Sequence, residues 1–260
     1  MKTSKTLAVF FWIFAAFLLL PLLIIIPISF TNADFLRFPP TSFGLRWYAD
    51  YLTDPQWIDA TILSVRVAAF SSLLATVIGT LTALGIHRGS SGSKGPLLTY
   101  IGLPLVVPHI FVALGIFVIA LRFGLLGSEP ILIAAHATMG LPLVVLIVLA
   151  QVQQLDVAVE RAARIHGATA PRAFFAVTLP ALRPSMIAGA IIAFFTSFDE
   201  LTVALFLMTG EETLPMRLWA NMKLDISPVI APIATILIVV TTICLLFAEF
   251  IRRRASEATR

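Results

Sequence analysis

Six stretches of the chain are apolar for long enough to cross a roughly 30 Å hydrocarbon layer as helix, which takes about 20 residues each. They run near Leu7 to Phe30, Asp59 to Ile86, Leu97 to Leu121, Pro130 to Ala150, Ser185 to Leu207 and Pro228 to Ile251. Lys2 and Lys5 precede the first of them in the manner of a signal peptide. That run is too long for a signal h-region and lacks a small-residue cleavage site, so it reads as an uncleaved span. The pattern predicts an all-α polytopic membrane protein of six transmembrane helices. The spans form one domain over 1–260, with no room for a nucleotide-binding domain.

The second and fifth stretches are rich in small and hydroxylated residues: Ser64, Ser71, Ser72, Thr76, Gly79, Thr80 and Ala83 in one, and Ala188, Gly189, Ala190, Ala193, Thr196 and Ser197 in the other. In lipid, helices associate by close backbone approach and interhelical hydrogen bonds, so both are expected in the interior of the bundle. Pro104, Pro108, Pro142 and Pro232 can kink their spans. Trp47, Tyr48, Tyr51 and Trp57 gather ahead of the second span, where amphipathic rings favour the headgroup level. A short helix is expected over Arg46 to Leu52 on the outer surface, serving as an anchor or as a gate or docking surface.

Composition agrees with lipid as the solvent: 59% of residues are hydrophobic and 12% charged. The basic residues sit at segment ends rather than in one patch, so the pI of about 9.6 reports topology and not nucleic-acid binding. With the N-terminus inside, Lys2, Lys5, Arg88, Lys94, Arg161, Arg164, Arg172, Arg183, Arg252, Arg253, Arg254 and Arg260 are cytoplasmic. Arg37, Arg46, Arg122, Arg217 and Lys223 lie outside, and Arg66 is left within a span. Both termini are therefore expected in the cytoplasm.

Asp199 and Glu200 fall inside the fifth span, where an ionised carboxylate costs about 2.5 to 3.5 kcal/mol near the helix centre. Neighbouring helical residues point about 100° apart, so one is expected to line a path and the other to be braced. Counting along the helices puts Glu200 roughly 22 Å from the cytoplasmic end of its span and Arg66 roughly 10 Å in from the outer end of the second. In a roughly 30 Å core these are similar depths, so Arg66 is expected to pair with Glu200 or Asp199. His109 and His136, in the third and fourth spans, are either hydrogen-bonded packing residues or pathway lining.

Enzymatic chemistry finds no footing. Cys244 is alone, no Cys/His cluster has zinc-ligand spacing, and no nucleophile is paired with a base. Gly89 to Gly95 is a glycine-serine loop without the Gly-x4-Gly-Lys-Ser/Thr spacing that cradles phosphates. Transport is left, driven either by a partner or by an ion gradient, in which case Asp199, Glu200 and the histidines would form a proton relay.

The segment from Gln151 to Pro184 is patterned. Asp156 can cap a helix, Glu160 suits its positive end, and Gly167 stands where a left-handed C-terminal cap is wanted. A second helix can begin at Thr169, with Pro171 in its first turn, and is expected to stop at Pro180. A rigid helical pair tethered to the fourth and fifth spans can carry a partner's motion into them. Arg161-Ala162-Ala163, then Gly167-Ala168, then Leu179-Pro180 resembles the permease subunits of type I ATP-binding-cassette importers, whose mark is Glu-Ala-Ala, three residues, Gly and a later Leu-Pro. Arg161 occupies the acid's position and Glu160 stands one residue earlier.

The resemblance implies that Asp156, Glu160, Arg161, Ala162, Ala163, Arg164, Gly167, Ala168, Leu179 and Pro180 dock on a separate cytoplasmic ATPase dimer that carries the ATP and magnesium, with no cofactor on this chain. It also implies a second homologous permease, an extracytoplasmic substrate-binding protein and a bacterial inner-membrane location. Arg46-Trp47-Tyr48, Ser197-Phe198-Asp199-Glu200 and Ile226-Ser227-Pro228 look like the second permease of the spermidine/putrescine branch. That implies a polyamine or related solute; aminoalkylphosphonate and opine importers have similar permeases. The expected pathway residues are Asp199, Glu200, Thr196, His109, His136, Arg66 and Trp47. Polyamine permeases commonly have an acid after the proline matched by Pro108, where this chain has His109.

Overall fold

The computed structural model describes residues 5–89, 91–224 and 227–257. Lys2, Arg260 and Ile226, used above for topology and resemblance, lie outside them. Among the described residues twelve α-helices follow one another: α1 Lys5–Ser29, α2 Arg46–Thr53, α3 Pro55–Arg88, α4 Ser91–Val106, α5 His109–Arg122, α6 Glu129–Val152, α7 Val157–Ile165, α8 Ala170–Ala173, α9 Leu179–Phe198, α10 Thr202–Leu207, α11 Leu214–Leu224 and α12 Ile230–Glu257. Five helical runs among the described residues are long and apolar enough to cross a bilayer, and a sixth crossing is obtained if the bent pair α4 and α5 counts as one span. The contacts divide the chain into two compact units, Met1–Asp59 with Arg217–Ile243, and Ala60–Met216 with Cys244–Arg260.

In the first unit the segment after α1 is drawn into a compact turn. Thr31 and Phe43 form an antiparallel bridge, the Ser29 hydroxyl meets the Tyr48 hydroxyl at 2.7 Å, and Trp47 Nε1 donates to the Ala33 carbonyl at 3.0 Å. The expected helix over Arg46 to Leu52 is present as α2, with the Arg46 guanidinium over the Trp47 ring and on Asp34 at 2.8 Å. Asp54 starts α3 by accepting from the Gln56 N–H at 2.8 Å. Trp57 is buried against Tyr51 and beneath Arg217.

The second unit is built on α3, α6 and α9. Along α3 the buried positions come in pairs four residues apart: Leu63/Ser64, Val67/Ala68, Ser71/Ser72, Ala75/Thr76, Gly79/Thr80 and Ala83/Leu84. Four residues advance the helix by about 400°, so each pair is turned about 40° from the last and the buried stripe winds around α3. Its first turns join a cluster with Ala113, Leu132, Met139, Val203 and Leu207, and its later turns a second cluster with Val144, Val148, Leu149 and Leu182. Helix α6 contributes to both and is buried along most of its length. Small residues allow the closest approaches. A Cβ on Gly79 would stand 2.9 Å from Val144 Cγ1, one on Gly189 3.3 Å from the same atom, and one on Gly140 3.0 Å from Ala193 Cβ. The expected interior position of the small-residue faces therefore holds.

Two expected spans are broken. The stretch Leu97 to Leu121 is two helices set at 97°, because Pro108 has no N–H to continue α4 and takes an extended ψ of 133° ahead of α5. The stretch Ser185 to Leu207 ends as regular helix at Phe198 and resumes at Thr202, so Asp199 and Glu200 lie between α9 and α10 rather than inside a helix. The helix after Gly167 does not stop at Pro180. It runs from Ala170 to Phe198 through a π-helical stretch, Phe174–Thr178, whose wider turn brings Leu179 N–H to Phe174 O. Pro180 then follows directly on that wider turn, so its missing N–H falls where the hydrogen-bonding register changes back to that of an α-helix.

Candidate functional site

Both ends of α7 are built as its sequence demands. Asp156 accepts from the Ala158 N–H at 2.8 Å. At the other end Gly167 takes φ +92°, its N–H bonds the Arg164 carbonyl at 3.0 Å, and the Ala168 N–H bonds the Ala163 carbonyl at 3.1 Å, the paired closure of a Schellman turn. Glu160 points inward. It receives Arg88 at 2.8 Å and the Thr178 hydroxyl at 2.7 Å, so one carboxylate joins the end of α3, the helix α7 and the π-helical stretch that leads into α9. Arg161, Ala162 and Arg164 are exposed, Ala163 and Ala168 half-buried, and Leu179 and Pro180 open α9. Arg88 and Thr178 were not expected from sequence; a cation in the last turn of a long helix was the available signal for Arg88.

Between the two apolar clusters lies a polar layer. Ser71 Oγ donates to Ser197 Oγ at 2.8 Å, and His136 Nδ1 stands 2.8 Å from the same oxygen. All three side chains are buried, and among the described residues His136 Nε2 has no partner. Next to this layer in sequence, Glu200 fills the break between α9 and α10. Its Oε1 accepts from the Val203 N–H at 2.9 Å, capping α10, and its Oε2 faces His109 Nδ1 at 2.8 Å at the start of α5. One buried carboxylate thus binds the two interrupted helices to each other, where the buried Val203 N–H would otherwise be left without a partner. Asp199 closes α9 with its side chain exposed and unpaired among the described residues.

Arg66 takes no part in this group. Its Nε donates to Glu129 Oε1 at 2.7 Å, in the first turn of α6, and Glu200 is held by His109 instead. The expected pairing of Arg66 with Glu200 or Asp199 therefore fails: depth along a helix carries no information on direction around it, and Arg66 occupies an exposed position of α3. Thr196 turns its hydroxyl back onto the Ile192 carbonyl at 2.9 Å, and Trp47 belongs to the first unit. Of the expected pathway residues, Asp199, Glu200, His109 and His136 are those gathered near the α9–α10 break. Among the described residues no group of three or more His, Cys, Asp or Glu side chains could hold a metal ion.

Known proteins share this architecture. The chain superposes on a bacterial ABC transporter that imports the acidic polysaccharide alginate with a TM-score of 0.71, at 15% identity, covering 98% of this chain and 99% of that one. It is 30% identical to the putrescine transport system permease protein of Escherichia coli over 93% of its own length and 88% of the relative's. It is 29% identical to the spermidine/putrescine transport system permease protein of the same organism, over 92% and 90%. Residues 75–257 match the model of the binding-protein-dependent transport system inner membrane component. That match takes in α6, the whole α7–α9 segment and the α9–α10 break, and with it the chain belongs to that family: a non-catalytic inner-membrane permease of an ABC importer, which binds no cofactor itself and works with an ATPase and a binding protein.

Proposed function

We propose that this permease, acting as one domain over 1–260, forms half of the translocation pathway for a small organic amine, a polyamine such as putrescine or spermidine. A second, homologous permease would supply the other half. Two relatives matched over most of their length are named for those amines. The observation that carries the reading is Asp199, an exposed carboxylate held at a break between two helices beside a buried polar layer. An unpaired carboxylate at membrane depth belongs beside water or a cation, not lipid. Glu200 and His109 hold the break open, with Arg66, Thr196 and Trp47 more distant from the carboxylate's role.

Coupling runs through residues 151–184, which in this reading face the cytoplasm with both termini. A motion imposed on α7 passes through Glu160 to α3 and into α9, whose far end carries Asp199. The test is uptake of labelled putrescine into proteoliposomes holding this chain, the second permease and the ATPase, with the binding protein outside. Uptake is expected only with ATP, and Asp199→Asn is expected to lower it at least tenfold. Uptake driven by an ion gradient without the ATPase would support a secondary transporter instead. Import of another solute without competition by putrescine or spermidine would overturn the substrate class.

A further inference from the structure

The two acids of the 151–184 segment are both engaged within the chain. Asp156 holds the Ala158 N–H, and Glu160 holds Arg88 and Thr178. The cations are turned outward. Arg161 and Arg164, three residues apart and so neighbours on one face of α7, are exposed and have no hydrogen bond or ion pair among the described residues. Four residues on from Arg161, Ile165 on the same face is 84% exposed. One residue of rotation, about 100°, separates the braced Glu160 from the free Arg161. The outward face of α7 is thus a pair of guanidinium groups around an apolar knob, with no carboxylate among them.

We infer that the ATPase surface that receives α7 is acidic, with carboxylates opposite Arg161 and Arg164 and an apolar floor for Ile165. This rests on the coupling reading above and adds the sign of the partner's charge. Guanidinium groups dock on carboxylates through paired N–H donors, and a desolvated pair of that kind discriminates strongly against a like charge. An ATPase groove lined with basic residues would be repelled. The length of α3 is also compatible with a protein partner outside the hydrocarbon. Helix α3 has 34 residues, about 51 Å against a roughly 30 Å core, and its terminal Arg88 holds α7 through Glu160. That is enough to set α7 clear of the hydrocarbon.

The experiment measures binding of the cognate ATPase to the assembled permease pair in nanodiscs of phosphatidylglycerol and phosphatidylcholine. Arg161→Glu with Arg164→Glu is expected to weaken binding at least tenfold, while Arg161→Lys stays within about threefold and controls for folding of α7. Carbodiimide treatment of the Arg161→Lys complex is expected to join that position to an Asp or Glu of the ATPase. Reversing that acid should return the Arg161→Glu variant to within about threefold of wild type. A change below twofold on double reversal, or a loss that vanishes in nanodiscs of phosphatidylcholine alone, would overturn the acidic groove, the second by assigning the surface to anionic lipid. No binding by the unaltered permease would remove the coupling reading itself, whereas binding indifferent to charge removes only this inference.

Discussion

Asp199 and Glu200 are adjacent, carry the same charge and have opposite surroundings. Glu200 is buried with both oxygens occupied, one by the Val203 N–H and one by His109, whereas Asp199 is exposed. Their substitution should therefore separate stability from transport. Glu200→Ala orphans the Val203 N–H, a loss of about 1 to 3 kcal/mol for a buried donor, and should lower the melting temperature of the purified protein. Asp199→Asn should leave that temperature within the scatter of surface substitutions while uptake falls; a large loss of stability from Asp199→Asn would contradict the assignment. The order of residues led to the expectation that one carboxylate would be braced and the other would not. It could not show which, because helical rotation was the only guide and there is no helix at these two positions.

At the scale of elements, the bundle depends on how near α3, α6 and α9 come to one another. Val144 of α6 stands between Gly79 of α3 and Gly189 of α9, within 2.9 Å and 3.3 Å of where their side chains would begin. Gly79→Ala should destabilise by about 1 to 3 kcal/mol through overpacking. Adding Val144→Ala removes the obstructing methyls, so the double variant should melt above the sum of the two single losses; strict additivity would show that the glycine is not a packing site. These small residues were legible in advance, since lipid offers helices no hydrophobic drive and close approach is what remains. The breaks were less so. Pro108 signalled a kink, and the 97° turn came from its extended backbone together with the partner that Glu200 supplies to α5. At Pro180 the local rule predicted a stop, and the π-helical turn before it removed the conflict.

On the scale of the whole molecule, α9 runs from the π-helical stretch beside α7 to the α9–α10 break, beginning at Leu179 and closing at Asp199. Glu160 ties that stretch and α7 to α3. Glu160→Gln weakens the ion pair with Arg88 without altering the outward face of α7. It should keep the ATPase bound and hydrolysing while uptake per ATP falls at least severalfold; unchanged stoichiometry would show that the carboxylate transmits nothing. The apolar runs, the loop punctuation at Asp156 and Gly167 and the scarcity of charge determined by themselves a polytopic helical membrane protein with a structured loop. They did so because those signals are local, each depending on hydropathy or on the dihedral freedom of single residues. Only the tertiary structure decided that Arg66 meets Glu129, that Glu200 meets His109 and that Glu160 faces inward while Arg161 faces out. Such pairings depend on the direction of a side chain around its helix and on which helix lies opposite, and neither is written in the order of residues along the chain.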